Sequence, residues 1–175
     1  MERVAQRPYG QRMPLEIRPI RADDAACLSD AWARSSPESR HRRMNGTLSR
    51  LRPTELRYLT EVDHHDHEAM VAIDQATDRL IGVMRYIRTP SRPDEAELAA
   101  LVVDDWQHHG VATALLAELS DHARDDGIKR FHAIVSPENT PALAALRRLG
   151  ARPMSHDGEV HFFLPIESTL TTALG

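Results

Sequence analysis

Gln107, Gly110 and Ala112 follow a short apolar run and open an amphipathic one, and their spacing, Gln-x-x-Gly-x-Ala, suits a loop that holds an anion. Residues 98–103 are nearly all apolar and end on two β-branched residues, as a buried strand requires. Val111, Ala114, Leu115, Leu119 and Ala123 then recur at three- and four-residue intervals, which marks one face of a helix. A strand passing through the polar turn 104–109 into a helix aims unpaired backbone N–H groups at one point, with the helix dipole behind them. Gly110 and Ala112 are small where a ligand must come close, so the expected guest is a phosphate. A triphosphate-binding loop needs Gly-x-x-x-x-Gly-Lys-Ser/Thr and a dinucleotide loop a third glycine; the sequence has neither.

Three other groups could carry chemistry. Asp63-His64-His65-Asp66-His67 is rich in metal-ligating types, but contiguous ligands cannot easily wrap one ion tetrahedrally, so a polar loop is expected and no metal. Arg40-His41-Arg42-Arg43 is a basic cluster of the kind that usually forms a solvated face. Cys27 is alone, which excludes an intrachain disulfide and fits a reducing cytoplasm; it reads as a small buried residue on the first helix.

Composition narrows the partners. A formal net charge of −4 and an aromatic content of 5% argue against nucleic acid, since both the electrostatic footprint and the stacking platforms are missing. No apolar run approaches the ~20 residues needed to span a bilayer, and the N-terminus lacks a signal-peptide core, so no membrane association is expected.

The elements that must position the loop follow from period and punctuation. Residues 1–14 read as a loose leader and 167–175 as a tail, leaving 15–166 as one domain. Residues 15–20 alternate as a strand, with Pro19 suggesting an edge or a bulge. Asp23 or Asp24 can cap a helix over 25–34 that buries Ala26, Leu28, Ala31 and Trp32. Short helices are expected after Ser36-Pro37 and over 55–60. Strands 70–73 and 80–87 form an antiparallel hairpin, and 89–94 is a loop. After the loop helix, which Gly127 can close, come strand 131–135, helix 141–149, and strands 151–154 and 160–165 around the turn 157–158.

Two motifs in this layout resemble those of the GNAT acetyltransferase superfamily. Gln107-x-x-Gly110-x-Ala112 resembles its acyl-CoA signature, and Asn139, Ala142 and Gly150 match the Asn-x-x-Ala…Gly of its fourth-helix motif. The resemblance covers residues 15–165 and implies a mixed α/β (α+β) fold: a mostly antiparallel central sheet of about six or seven strands with helices on both faces. Within the superfamily the chain looks most like the catalytic domain of the bacterial Pat-type protein lysine acetyltransferases. The segments that carry this are Ile17-Arg18-Pro19-Ile20-Arg21, Ser36-Pro37-Glu38-Ser39-Arg40, Leu48-Ser49-Arg50-Leu51 and Ala96-Glu97-Leu98-Ala99.

The resemblance implies transfer of acetyl from acetyl-CoA to an amine, a protein lysine or a small molecule, without a metal. A non-catalytic acyl-CoA-binding module remains the alternative, and a homodimer stays open. Gln107, His108, His109, Gly110, Val111, Ala112 and Thr113 are expected to hold the pyrophosphate; Leu101, Val102 and Val103 would flank the pantetheine, and Asn139 would reach it from the other side. Glu97 stands where Pat-type enzymes place a glutamate and is expected to deprotonate the amine, with Glu95 two residues earlier as a solvent-facing charge. Many superfamily members carry a tyrosine acid where this chain has Leu146, so Tyr86 or Tyr58 would have to substitute, or the thiolate leaves unaided. His108 and His109 stand where glycine and a basic residue are usual. A histidine of ordinary pKa loses its charge between pH 6 and 8, so cofactor binding should weaken over that range.

Overall fold

The computed structural model describes residues 5–6, 12–44, 50–156 and 159–166. The turn 157–158, the tail 167–175, residues 48–49 and the side chains of 41–43 lie outside the described residues. In the leader, Ala5–Gln6 pairs antiparallel with Arg12–Met13, apart from the main sheet.

In chain order the domain runs β1 (Leu15–Pro19), α1 (Ala25–Arg34), α2 (Pro37–Met44), α3 (Pro53–Thr60), β2 (His67–Asp74), β3 (Arg79–Thr89), β4 (Arg92–Val102), α4 (Val111–Asp125), β5 (Arg130–Val135), α5 (Thr140–Arg148), β6 (Arg152–His156) and β7 (Glu159–Pro165). The seven strands form one sheet in the order β1-β2-β3-β4-β5-β7-β6. Every neighbouring pair is antiparallel except β4 and β5. β1 is an edge strand, where Pro19 lacks only an N–H that the ladder can spare.

Helices cover both faces of β3. A Cβ at Gly82 would lie 3.0 Å from Val111 Cγ1 and 3.2 Å from Leu115 Cδ1, so this residue faces α4. Val83 and Arg85, one step out of phase, share a small cavity with Leu28 and Trp32 of α1 and Leu59 of α3. The core joins these layers through residues such as Leu15, Leu28, Leu115, Leu119, Phe131 and Phe162, all buried. Among the described residues no helix is long and apolar enough to cross a membrane.

Several local expectations need correction. Ala26 and Cys27 are exposed, because the buried stripe of α1 is Leu28, Ala31 and Trp32. Asp24 does not cap α1 with its side chain. Its carboxylate accepts two 2.7 Å hydrogen bonds from the Arg18 guanidinium and one from the Arg21 N–H, locking the turn between β1 and α1. Residues 89–94 are not a loop: β3 runs to Thr89 and β4 starts at Arg92, and a register shift between Arg88 and Thr89 absorbs the break in the ladder near the two prolines.

Candidate active site

β4 and β5 are in register over only three pairs, Glu95 with Arg130, Ala96 with Phe131 and Glu97 with His132. Beyond them β4 continues beside β3 to Val102, and β5 continues beside β7 to Val135. The sheet therefore opens into a cleft with Glu97 and His132 at its vertex. Strand geometry decides which amides face the opening. The Val103 N–H donates to the Ile81 carbonyl at 2.9 Å, so it is already paired within the fold. Alternation turns the backbone of Leu101 toward β3 as well, and leaves the N–H groups of Ala100 and Val102 on the cleft side. Of the expected stretch 101–103, Val102 is thus the residue placed to offer an amide, with Ala100 beside it.

The signature loop closes the wide end of this cleft. A 3₁₀ turn, Asp104–Trp106, follows β4, and the chain then reverses through two left-handed residues, His108 at φ 62° and Gly110 at φ 79°. A non-glycine residue at positive φ is strained, so His108 holds this conformation only with support from its surroundings. No side chain caps α4, and its first backbone acceptance is Ala114 N–H to the Gly110 carbonyl at 3.0 Å. The N–H groups of Val111, Ala112 and Thr113 precede that bond and have no helical acceptor. His109 buries its Nδ1 without a hydrogen-bond partner among the described residues.

Gln107 acts as a brace. Its Nε2 donates to the Val102 carbonyl at 3.1 Å and to Ser39 Oγ at 3.3 Å. Asp104, which the sequence reading passed over, ties the loop to α2: its carboxylate accepts from the Ser36 N–H at 2.6 Å and the Ser39 hydroxyl at 2.7 Å. Burial opposes that charge, and the hydrogen bonds from Ser39 and Ser36 outweigh it, holding the carboxyl below the ordinary carboxylate range.

At the vertex Glu97 is exposed and lines a cavity of about 150 Å³ with Glu55, Tyr58, Arg85, Ile87 and Ala99. Glu95 is different from what its position promised. It is 0% exposed, and its carboxylate accepts from Arg130 Nε at 2.6 Å, so it is a structural ion pair and not a solvent-facing charge. Tyr58 is 57% exposed in the same cavity as Glu97.

Tyr86 is remote from the loop. It is buried, and its hydroxyl donates to Asp126 Oδ2 at 2.7 Å, at the far end of α4. Burial first, then the bonded and charged Asp126, drives its pKa well above the ordinary phenol range. Fifteen helical residues separate the two ends of α4, about 22 Å at 1.5 Å per residue. Two of the clustered histidines share that far end, His65 with Nδ1 2.8 Å from Asp126 and His64 with Nδ1 2.9 Å from the buried Glu68, whereas His67 Nε2 lies 3.0 Å from a guanidinium nitrogen of Arg85, which lines the Glu97 cavity. These histidines serve three different partners. Asn139, across the cleft, caps α5 with its Oδ1, which accepts from the Ala142 N–H at 3.3 Å. Leu146, on the same helix, is buried.

A sheet split between β4 and β5, with an uncapped helix at its mouth, is the architecture of an acyltransferase domain. A family model for the acetyltransferase (GNAT) domain matches residues 14–152. The chain belongs to the GNAT acetyltransferase family. It is 31% identical over 135 residues to acetyltransferase Pat of Mycolicibacterium smegmatis, a match that covers 77% of this chain and 40% of that protein. It is 30% identical over 125 residues to acetyltransferase PA5475 of Pseudomonas aeruginosa, covering 70% of this chain and 67% of that one. The chain thus spans well under half the length of the Pat relative. The crystal structure of the GNAT domain of S. lividans PAT superposes with a TM-score of 0.85 at 30% identity, covering 94% of this chain and 96% of that one.

Proposed function

We propose that this chain transfers the acetyl group of acetyl-CoA to an amine, and that the amine is a protein lysine side chain. The observation that carries the proposal is the end of β4–β5 pairing at Glu97 and His132, which leaves strand amides and a carboxylate facing one opening. Val111, Ala112 and Thr113 bind the diphosphate through main-chain N–H groups, with His109 and Gly110 shaping the approach. Ala100 and Val102 hold the pantetheine arm as an added strand, Asn139 borders it from β5's side, and Gln107 fixes the end of β4.

A lysine ammonium has an ordinary pKa near 10.4, so it must lose a proton before its nitrogen can attack. Glu97 takes that proton. The nitrogen then bonds to the thioester carbonyl carbon, the C–S bond breaks, the thiolate leaves with the electron pair, and the nitrogen sheds its second proton on becoming the amide, which balances the proton the thiolate takes up. We assign its protonation to Tyr58, which lines the same cavity as Glu97, since Tyr86 is committed to Asp126. The open cavity over Glu97 and the similarity to Pat support a protein acceptor. Residues 15–166 form the catalytic unit, which works in the cytoplasm.

Buried Leu146, which has no proton to give where the family resemblance implies a tyrosine acid, favours the second reading, a domain that binds acyl-CoA and does no chemistry. One experiment separates the two. A bacterial lysate is incubated with the protein and isotope-labelled acetyl-CoA, thiol release is followed, and labelled lysines are found by mass spectrometry. Labelled protein lysines support the proposal. Label only in small amines, or binding without thiol release, replaces it.

A further inference from the structure

Behind Glu97 stands a pair of histidines that the acetyltransfer reading leaves without a role. Glu97 and His132 share a register row of the parallel strands β4 and β5, so their side chains leave the same face of the sheet, with backbones about 5 Å apart. His132 Nε2 lies 2.9 Å from His161 Nδ1 of β7, with ring centroids 5.0 Å apart and planes inclined by 21°. Phe163, the register partner of His132 on β7, stacks on the His132 ring with centroids 4.8 Å apart. His161 Nε2 in turn lies 3.9 Å from Glu159 Oε2. Two imidazoles this close share one hydrogen, with one nitrogen donating and the other accepting.

We propose that His132, held by His161, is the proton acceptor behind Glu97. The proposal rests on Glu97 being the group that deprotonates the amine. A proton leaves the acceptor nitrogen for the Glu97 carboxylate and passes through an intervening water to Nδ1 of His132. The imidazolium stays beside His161, and the proton returns to water when the products leave. Chemistry favours this division. Transfer from an ammonium to a carboxylate is uphill by about six powers of ten and to an ordinary imidazole by about four, a difference that the burial of His132 narrows. Glu97 collects the proton where the acceptor sits, and His132 makes its loss less reversible. His132 therefore acts through Glu97, as a positioning residue.

The surroundings keep His132 ready to accept. Burial, then the neighbouring His161, lowers its pKa from the usual imidazole value, while Glu95 and Glu97 pull the other way and Arg92 adds to the lowering. Arg130, on the same strand, is occupied with Glu95 and the Phe163 ring. His132 is thus neutral at pH 7, and its share of the activity disappears as pH falls through its lowered pKa.

The test pairs kinetics with titration. Thiol release is measured against pH for the wild type, His132→Asn and His161→Asn, and the His132 ring is titrated by NMR in these proteins and in Glu97→Gln. His132→Asn should lower kcat about tenfold, leave KM for acetyl-CoA unchanged and remove the acid limb of the profile. His161→Asn should move that limb to higher pH, so one variant suffices if the other does not fold. The His132 titration should move up in His161→Asn and down in Glu97→Gln. Unchanged turnover and profile in His132→Asn overturn the proposal. So does a titration blind to both substitutions, which is read whether or not the wild type turns over. A wild type that releases no thiol with any acceptor ends the acetyltransfer reading instead.

Discussion

The Asp104 carboxylate accepts a 2.7 Å hydrogen bond from the hydroxyl of Ser39, a residue 65 positions earlier in the chain. With the Ser36 N–H on its other oxygen, this contact couples the start of α2 to the loop between β4 and α4. Asp104→Ala should loosen that loop and weaken acetyl-CoA binding about fivefold, the value of roughly 1 kcal/mol for a lost hydrogen bond. Titration calorimetry measures it. The carboxyl titrates below its ordinary value, so its stabilising effect is complete above about pH 4 and is lost as pH falls through the lowered pKa. The difference in urea midpoint between variant and wild type should therefore shrink below pH 4. An unchanged Kd would mean that α2 does not support the loop.

Glu97→Gln keeps the size of the side chain and removes its basicity. Turnover should fall at least about tenfold while acetyl-CoA binding stays within twofold. Binding depends on backbone amides further along the cleft, which this substitution does not touch. Steady-state thiol release and calorimetry on the same sample give both numbers. Near-normal turnover would remove Glu97 from the mechanism.

The two tyrosines separate chemistry from stability. Tyr58→Phe removes a hydroxyl from the cavity that Glu97 lines and should lower kcat with little change in Tm. Tyr86→Phe leaves Asp126 without its buried donor, so it should cost about 1–3 kcal/mol of stability and leave kcat intact. Thermal melts and turnover of both variants decide the matter. The reverse pattern would move the acid function to the far end of α4.

Much of this was legible in the sequence because it depends on local patterns. The period change at Gly110 marked the strand-to-helix loop, and the left-handed φ there is the backbone state that glycine allows most readily. The apolar stripe of α4 was equally local. What could not be read depends on register. Glu95 and Glu97 look alike in sequence, yet one is sealed beneath Arg130 and the other opens onto the cavity, because the register sets Glu95 opposite Arg130 and Glu97 on the last paired row, where the cleft begins. Leu101 and Val103 offered amides on paper that the antiparallel ladder with β3 turns inward. Asp104, His132 and His161 find their partners across 65 and 29 positions, and no short window holds both halves of either contact.

Gly82 is a further position whose importance comes only from packing. A methyl group there would stand 3.0 Å from Val111 Cγ1 and 3.2 Å from Leu115 Cδ1, and both side chains are buried in the first turns of α4. Two effects of Gly82→Ala oppose each other. Replacing a strand glycine stiffens the unfolded chain, a gain of about 0.4–1 kcal/mol. Overpacking a filled core costs about 1–3 kcal/mol, and Val111 is β-branched and has little rotamer freedom with which to yield. The cost should win, lowering Tm by several degrees. Since the atoms that must move belong to the helix start, the same substitution should also turn the N–H groups of Val111, Ala112 and Thr113 away from their common point and weaken acetyl-CoA binding, although Gly82 is separated from the cleft by β4. Melting curves and calorimetry on Gly82→Ala measure both effects. A loss of stability with unchanged affinity would show that the first turn of α4 is held in place by the 104–110 loop, and that its packing on β3 contributes only to the core.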